Sequence, residues 1–178
     1  MNKPYQLIIL LLISTGLVPS KDNIEYKSAF EDSFDAWIDF KRASGNTYSY
    51  IVTSGSWTGT SSETRISVRE GKVVGRNFIL RHLASDRVSG YDILEEWYEN
   101  EAQINTHENG APPITLDEVY SKARSKWLIK RQNTETYFEA NNNGMISTCG
   151  YRDRDCADDC FTGINISFIG IEKFYNEE

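Results

Sequence analysis

Apolar positions recur along this chain with two periods, and the switches between them mark out its elements. Phe30, Phe34, Trp37 and Ile38 fall at helical spacing, a stripe wide enough to bury one face of a helix. Ser28 stands before the stripe with Glu31 three residues on, the spacing of a capping box. Ser44-Gly45 closes it, with a glycine free to take a left-handed conformation. From Thr47 to Thr53 the period drops to two, and Tyr48, Tyr50 and Val52 share a face. Thr64–Arg69 alternates again through Ile66 and Val68. Glu70-Gly71 reads as a two-residue hairpin turn, and Lys72–Leu80 as the returning strand. Between the first two strands lies Ser54–Ser62, a loop of small residues carrying Trp57.

Leu83–Gly110 is ambiguous, because Ile93, Leu94, Trp97 and Tyr98 fit a helical stripe and a bulged strand equally well. His107–Pro113 is a loop by its Asn, Gly and Pro content. Thr115 and Glu118 form a second capping box, with Ile114 and Val119 at the positions of a hydrophobic staple. Leu116, Val119, Tyr120, Ala123 and Trp127 then face one way in a helix predicted to reach Lys130. Thr134–Ala140, a turn at Asn141–Gly144, Met145–Tyr151 and Gly163–Phe174 supply three more strands, the last with Ile164, Ile166 and Phe168 on one face. The pattern predicts an α+β domain, two helices packed against a largely antiparallel sheet. The order of elements also allows two α-β-β-β units.

The first twenty residues stand apart. Lys3 precedes the apolar run Leu7–Val18, which is too short to span a membrane, and Val18 and Ser20 suit a cleavage site. The pattern predicts a signal peptide over 1–20 and a single secreted domain over 21–178, with no membrane segment after cleavage. The chain carries a net charge of −7, and loss of Lys3 makes it one unit more acidic. Nucleic acid is therefore excluded as a partner, and cations or basic surfaces are favoured.

Candidate chemistry concentrates in Cys149–Phe161, CGYRDRDCADDCF, which holds all three cysteines: Cys149, Cys156 and Cys160. In an oxidising compartment they imply one disulfide and one remainder, and the pairs 149–156, 149–160 and 156–160 are all open. The C-x6-C-x3-C spacing, with no histidine nearby, is a poor zinc set. Asp153, Asp155, Asp158 and Asp159 offer carboxylates of the kind calcium or a mineral face takes, although the central glycine and terminal glutamate of an EF-hand are missing. The expectation is weak calcium contact at most, with no resident cofactor or metal. Asn165-Ile-Ser167 is an N-glycosylation sequon, and the Ile164/Ile166/Phe168 alternation turns Asn165 towards solvent. The two histidines, His82 and His107, read as solvated. Gly55-Ser-Trp-Thr-Gly59 approaches a nucleophile elbow but has threonine at its fourth position. No catalytic constellation emerges, and the chain reads as a non-enzyme.

Several blocks resemble the insoluble shell-matrix proteins of molluscs. These are Asn46–Tyr50, Ser56–Gly59, Glu63–Val68 with Gly71–Val74, Thr106–Pro113, Leu116–Tyr120 and Tyr137–Glu139. The most specific are Thr148–Tyr151 and Asp155–Phe161. The resemblance implies a secreted component of the organic matrix of a calcified shell, with a structural or interaction role in biomineralisation. Its partners would be other matrix proteins or a calcium carbonate surface. The alternative is a secreted small-ligand-binding module or inhibitor that uses a Tyr48/Tyr50/Trp57 aromatic surface. A large concave apolar pocket would favour that alternative.

Overall fold

The computed structural model describes residues 23–84, 90–157 and 160–172. The expected signal peptide lies outside them, as do Asp158 and Asp159. Among the described residues seven antiparallel strands form one sheet in the order β4-β3-β2-β1-β7-β6-β5. Helix α1 (Lys27–Ala43) precedes β1 (Tyr48–Gly55), β2 (Thr60–Arg69), β3 (Lys72–Leu83) and β4 (Tyr91–Asn100). Helix α2 (Leu116–Lys122) precedes β5 (Thr134–Glu139), β6 (Thr148–Asp153) and β7 (Thr162–Ile171). The sheet dominates, and the α+β expectation holds at that level. The first helix is followed by four strands and the second by three, so the two units are not equal.

One core joins the parts. Phe30 and Trp37 of α1 and Leu116, Val119 and Tyr120 of α2 pack on Tyr48, Tyr50, Ile66, Val68, Cys149, Ile164 and Ile166 of the sheet. Trp37 meets Tyr48 edge-on at 5.2 Å and stacks on Tyr120 at 6.2 Å. Its Nε1 donates to Asp117 (3.0 Å), which also takes the Lys41 ammonium (2.6 Å). The Tyr120 hydroxyl donates to the Ser33 carbonyl (2.9 Å) and accepts from the Ile146 N–H (3.2 Å), tying α1, α2 and the approach to β6 at one atom.

The ends of α1 show local rules kept and overridden. At the C-terminus Gly45 adopts φ 59°, and the Asn46 N–H reaches back to the Lys41 carbonyl at 2.9 Å, a Schellman closure. At the N-terminus the Ser28 capping box is not used. The helix starts earlier, capped by Tyr26 at φ 54° with no side-chain bond to the helix N–H groups. Tertiary anchors set this start. The Tyr26 hydroxyl donates to the Thr136 carbonyl (3.2 Å), and Glu25 N–H donates to the Leu128 carbonyl (2.7 Å).

The capping box at α2 forms as expected: Glu118 N–H donates to Thr115 Oγ1 (3.3 Å) and Thr115 N–H to Glu118 Oε2 (2.7 Å). The α-helix is shorter than predicted. It passes into a π turn, Ala123–Trp127, in which Leu128 N–H reaches the Ala123 carbonyl (2.9 Å). The wider turn brings both Trp127 and Leu128 inward.

The ambiguous segment is strand β4, and its register against β3 shifts between Leu80 and Arg81, leaving Leu94 unopposed. Strand β7 also carries a shift, between its Ile51 and Val52 partners, which leaves Ser167 unopposed. That bulge breaks the expected alternation. Ile164 and Ile166 are buried, but Phe168 turns outward beneath Arg65 and Ile169 takes its place in the core.

Candidate functional site: a cleft where the sheet parts

Strands β1 and β7 pair from Tyr48 to Val52. Beyond Val52 they separate: Thr53, Ser54 and Gly55 pair with β2, and Thr162–Ile164 and Asn165 pair with β6. A cavity of about 490 Å³ occupies this parting, a volume within the range of small-molecule sites. Val52, Phe78, Leu80, Ile114, Trp127, Phe161 and Ile164 give it apolar surface. Ser54, Ser62, Thr64, Asn109 and Asn165 place polar groups around it, and Lys122 supplies its one charged side chain among the described residues. A shallower polar depression of about 180 Å³ adjoins it at Ser54, Ser62 and Leu80.

A buried ion pair builds one wall. Arg76 sits on the core-facing side of β3, in step with Phe78, and neither it nor Glu99 of β4 reaches solvent appreciably. Arg76 Nε and Nη2 donate to the two Glu99 oxygens, both at 2.9 Å. The remaining guanidinium bonds go to the carbonyls of His107 (2.7 Å) and Ala111 (3.1 Å). Glu99 also accepts the N–H groups of Asn105 (2.9 Å) and His107 (2.7 Å), and His107 Nδ1 lies 3.1 Å from it. The loop after β4 is thereby clamped to the sheet. Burial alone would raise the Glu99 carboxyl. The Arg76 guanidinium, the two backbone N–H groups and the His107 ring reverse this and hold it well below the usual carboxylate range.

The clamp is finished by stacking. The Trp97 ring lies 4.4 Å from His107 and 5.2 Å from Phe78, with the Arg76 guanidinium 4.7 Å from its centroid. His107 is therefore engaged by Glu99 and Trp97, which its reading as a solvated residue missed. Gly110 takes φ 86° under this loop, where a Cβ would stand 3.0 Å from the Phe78 ring and 3.1 Å from Thr64 Oγ1. Ala111 N–H donates to that same Thr64 oxygen (2.9 Å). These contacts fix Gly110, Ala111 and Pro112 as cavity wall.

The cysteine block builds the opposite wall. Cys156 pairs with Cys160, with Cα atoms 6.2 Å apart, and Cys149 remains a free, fully buried thiol. Burial pushes that thiol up to about 12, away from the thiolate needed for reactivity. Phe161, next to the disulfide, lays its ring over Gly150 and Gly163, which face each other across β6 and β7. A Cβ on Gly150 would lie 2.5 Å from that ring, and one on Gly163 would lie 2.2 Å from the Cys149 carbonyl. The glycines are needed for Phe161 to close on the strands and border the cleft.

The other sequence-based candidates fall in different places. Asp153 and Asp155 are exposed, and the Asn133 amide donates to the Asp155 carboxylate. Among the described residues no group of three or more acidic, histidine or cysteine side chains is gathered as a metal set. Asn165 is half-buried at the cleft. The aromatic surface expected of Tyr48, Tyr50 and Trp57 does not exist. Trp57 is 83% exposed at a hairpin tip, and the two tyrosines are buried. Their hydroxyls instead hold the start of α2: Leu116 N–H donates to Tyr48 (2.9 Å), and Tyr50 donates to the Ile114 carbonyl.

Arg76 and Glu99 escaped sequence reasoning. The available signal was an arginine in register with Phe78 and Leu80 on the apolar face of a strand, since a charge there demands a buried partner. Comparison with protein families, with characterised proteins and with solved structures finds no match to this chain.

Proposed function

We propose that this chain is a secreted, non-enzymatic binding module that holds a small, largely apolar ligand in the cleft between β1 and β7. The observation that supports this reading is the cavity itself. It is concave and mainly apolar, with a few polar groups at fixed positions, the composition expected of a small-molecule site. Its walls are tied down independently of any ligand, one by the Arg76–Glu99 clamp and the other by Phe161 on its glycine pair. Such preorganisation lowers the ordering cost of binding.

Titration with the neutral fluorophore N-phenyl-1-naphthylamine tests the reading. Saturable binding by the wild-type protein is expected, with loss in a Val52→Trp variant that fills the cleft. Absence of saturable binding to the wild type would refute it.

A second reading places the module in the organic matrix of a calcified shell, alongside matrix proteins or mineral. The resemblance centred on Cys149–Tyr151 and Asp155–Phe161 favours it, as does the acid excess. Weak calcium contact at the exposed Asp153 and Asp155 belongs to the same reading. Proteomics of the acid-insoluble shell fraction tests it: recovery there is expected, and abundance only in soft tissue would overturn it.

A further inference from the structure

Among the described residues, the charge lining the cleft is of one sign. Several cations elsewhere in the described residues are already neutralised: Lys41 by Asp117, Arg76 by Glu99, Arg81 by Glu63 and Arg152 by Glu135. Lys122 differs. It ends α2, is half-buried, lines the cavity, and has no ion-pair or hydrogen-bond partner among the described residues. Among the described residues no carboxylate lines the same space. In a chain of net charge −7, an anion approaching the general surface meets repulsion. This cavity is a place where it would meet a lone ammonium beside apolar walls.

An ammonium beside low-dielectric surface gains more from a counter-ion than one in open water. Its flexible four-carbon stem lets it follow a ligand group. Ile114, Trp127, Val52 and Phe78 give the same cavity its apolar surface. A ligand matched to this arrangement has a single anionic head and an apolar body.

We propose that the cleft selects small amphiphilic monocarboxylates, with the carboxylate paired to the Lys122 ammonium and the apolar body lying along the parting of β1 and β7. This rests on the binding-module reading above, and the test separates the two. Decanoate, decanol and decyltrimethylammonium are used to displace N-phenyl-1-naphthylamine from the full mature chain. They are compared on wild type, Lys122→Met and Lys122→Arg, with thermal unfolding confirming that each variant is folded. Decanoate is expected to displace the probe at about one-tenth the concentration of decanol, the scale of one charge-assisted contact. Decyltrimethylammonium should be the weakest. Lys122→Met should remove the preference for decanoate without altering decanol, and Lys122→Arg should keep it. Equal displacement by decanoate and decanol on wild type, or a preference that survives Lys122→Met, overturns the carboxylate assignment and leaves the apolar site standing. Failure of the wild type to bind the fluorophore or any of the three overturns both.

Discussion

Replacing Glu99 with glutamine tests the clamp that builds the cleft. The substitution keeps shape and removes charge. One Glu99 oxygen receives Arg76 Nε and Asn105 N–H, and the other receives Arg76 Nη2 and His107 N–H. Whichever end becomes the amide NH₂ confronts two donors with a third, and the buried guanidinium loses its counter-ion. Removing one partner of a buried ion pair costs about 3–5 kcal/mol, a large share of the ~5–15 kcal/mol that stabilises a typical domain.

Urea unfolding followed by tryptophan fluorescence reads this as a drop in midpoint. The pH dependence gives a second reading. Glu99 is depressed in the folded state, so its contribution is fully present above the unfolded value of about 4.3. It declines progressively as pH falls from there towards the lower folded value. The gap between wild type and Glu99→Gln should therefore be constant above about pH 5 and shrink in stronger acid. A destabilisation under about 1 kcal/mol, or a gap unchanged to pH 2, would refute the account of Arg76 and Glu99 as a load-carrying buried pair.

Three further outcomes follow from the same structure. Gly163→Ala forces a Cβ onto the Cys149 carbonyl and should cost about 1–3 kcal/mol by overpacking, with a matching loss of fluorophore affinity; an unchanged unfolding midpoint would contradict the close approach of β6 and β7. Cys149 should resist Ellman's reagent at pH 8 in the native protein and react as one thiol once denatured without reductant, because it is buried and raised to about 12 while Cys156 and Cys160 are joined; rapid native labelling would overturn this. Tyr120→Phe removes the hydroxyl that bonds the Ser33 carbonyl and the Ile146 N–H and should destabilise by about 1–3 kcal/mol in thermal or urea unfolding.

Much of the secondary structure was legible because local chemistry and tertiary packing agree. The Thr115–Glu118 box, the positive-φ hairpin turn at Glu70 and Gly71, and Gly45 closing α1 each follow from backbone sterics and short-range hydrogen bonds. The alternation Tyr48, Tyr50, Val52 marked the inner face of β1, but suggested an exposed aromatic surface only because the sequence does not show that α2 lies over it.

The chain by itself determined which segments are helix and strand wherever period and caps coincide, that all three cysteines share one short segment, and that the protein is acidic. Tertiary structure decided what depends on partners distant in sequence. It chose strand for Tyr91–Asn100 because β3 offers a ladder, and it moved the start of α1 to Tyr26 because Thr136 and Leu128 hold the chain there. It turned Phe168 outward through a bulge that exists only against β1. The cleft is of this second kind: Val52, Arg76, Glu99, Lys122 and Phe161 are far apart along the chain, and only the parting of β1 from β7 brings their contributions to one place. Local free energies set the elements, whereas a cavity is a shape left between them. The Cys149–Phe161 segment, conspicuous for its acidity and sulfur, contributes to that shape through Gly150 and Phe161, two residues that composition alone would pass over.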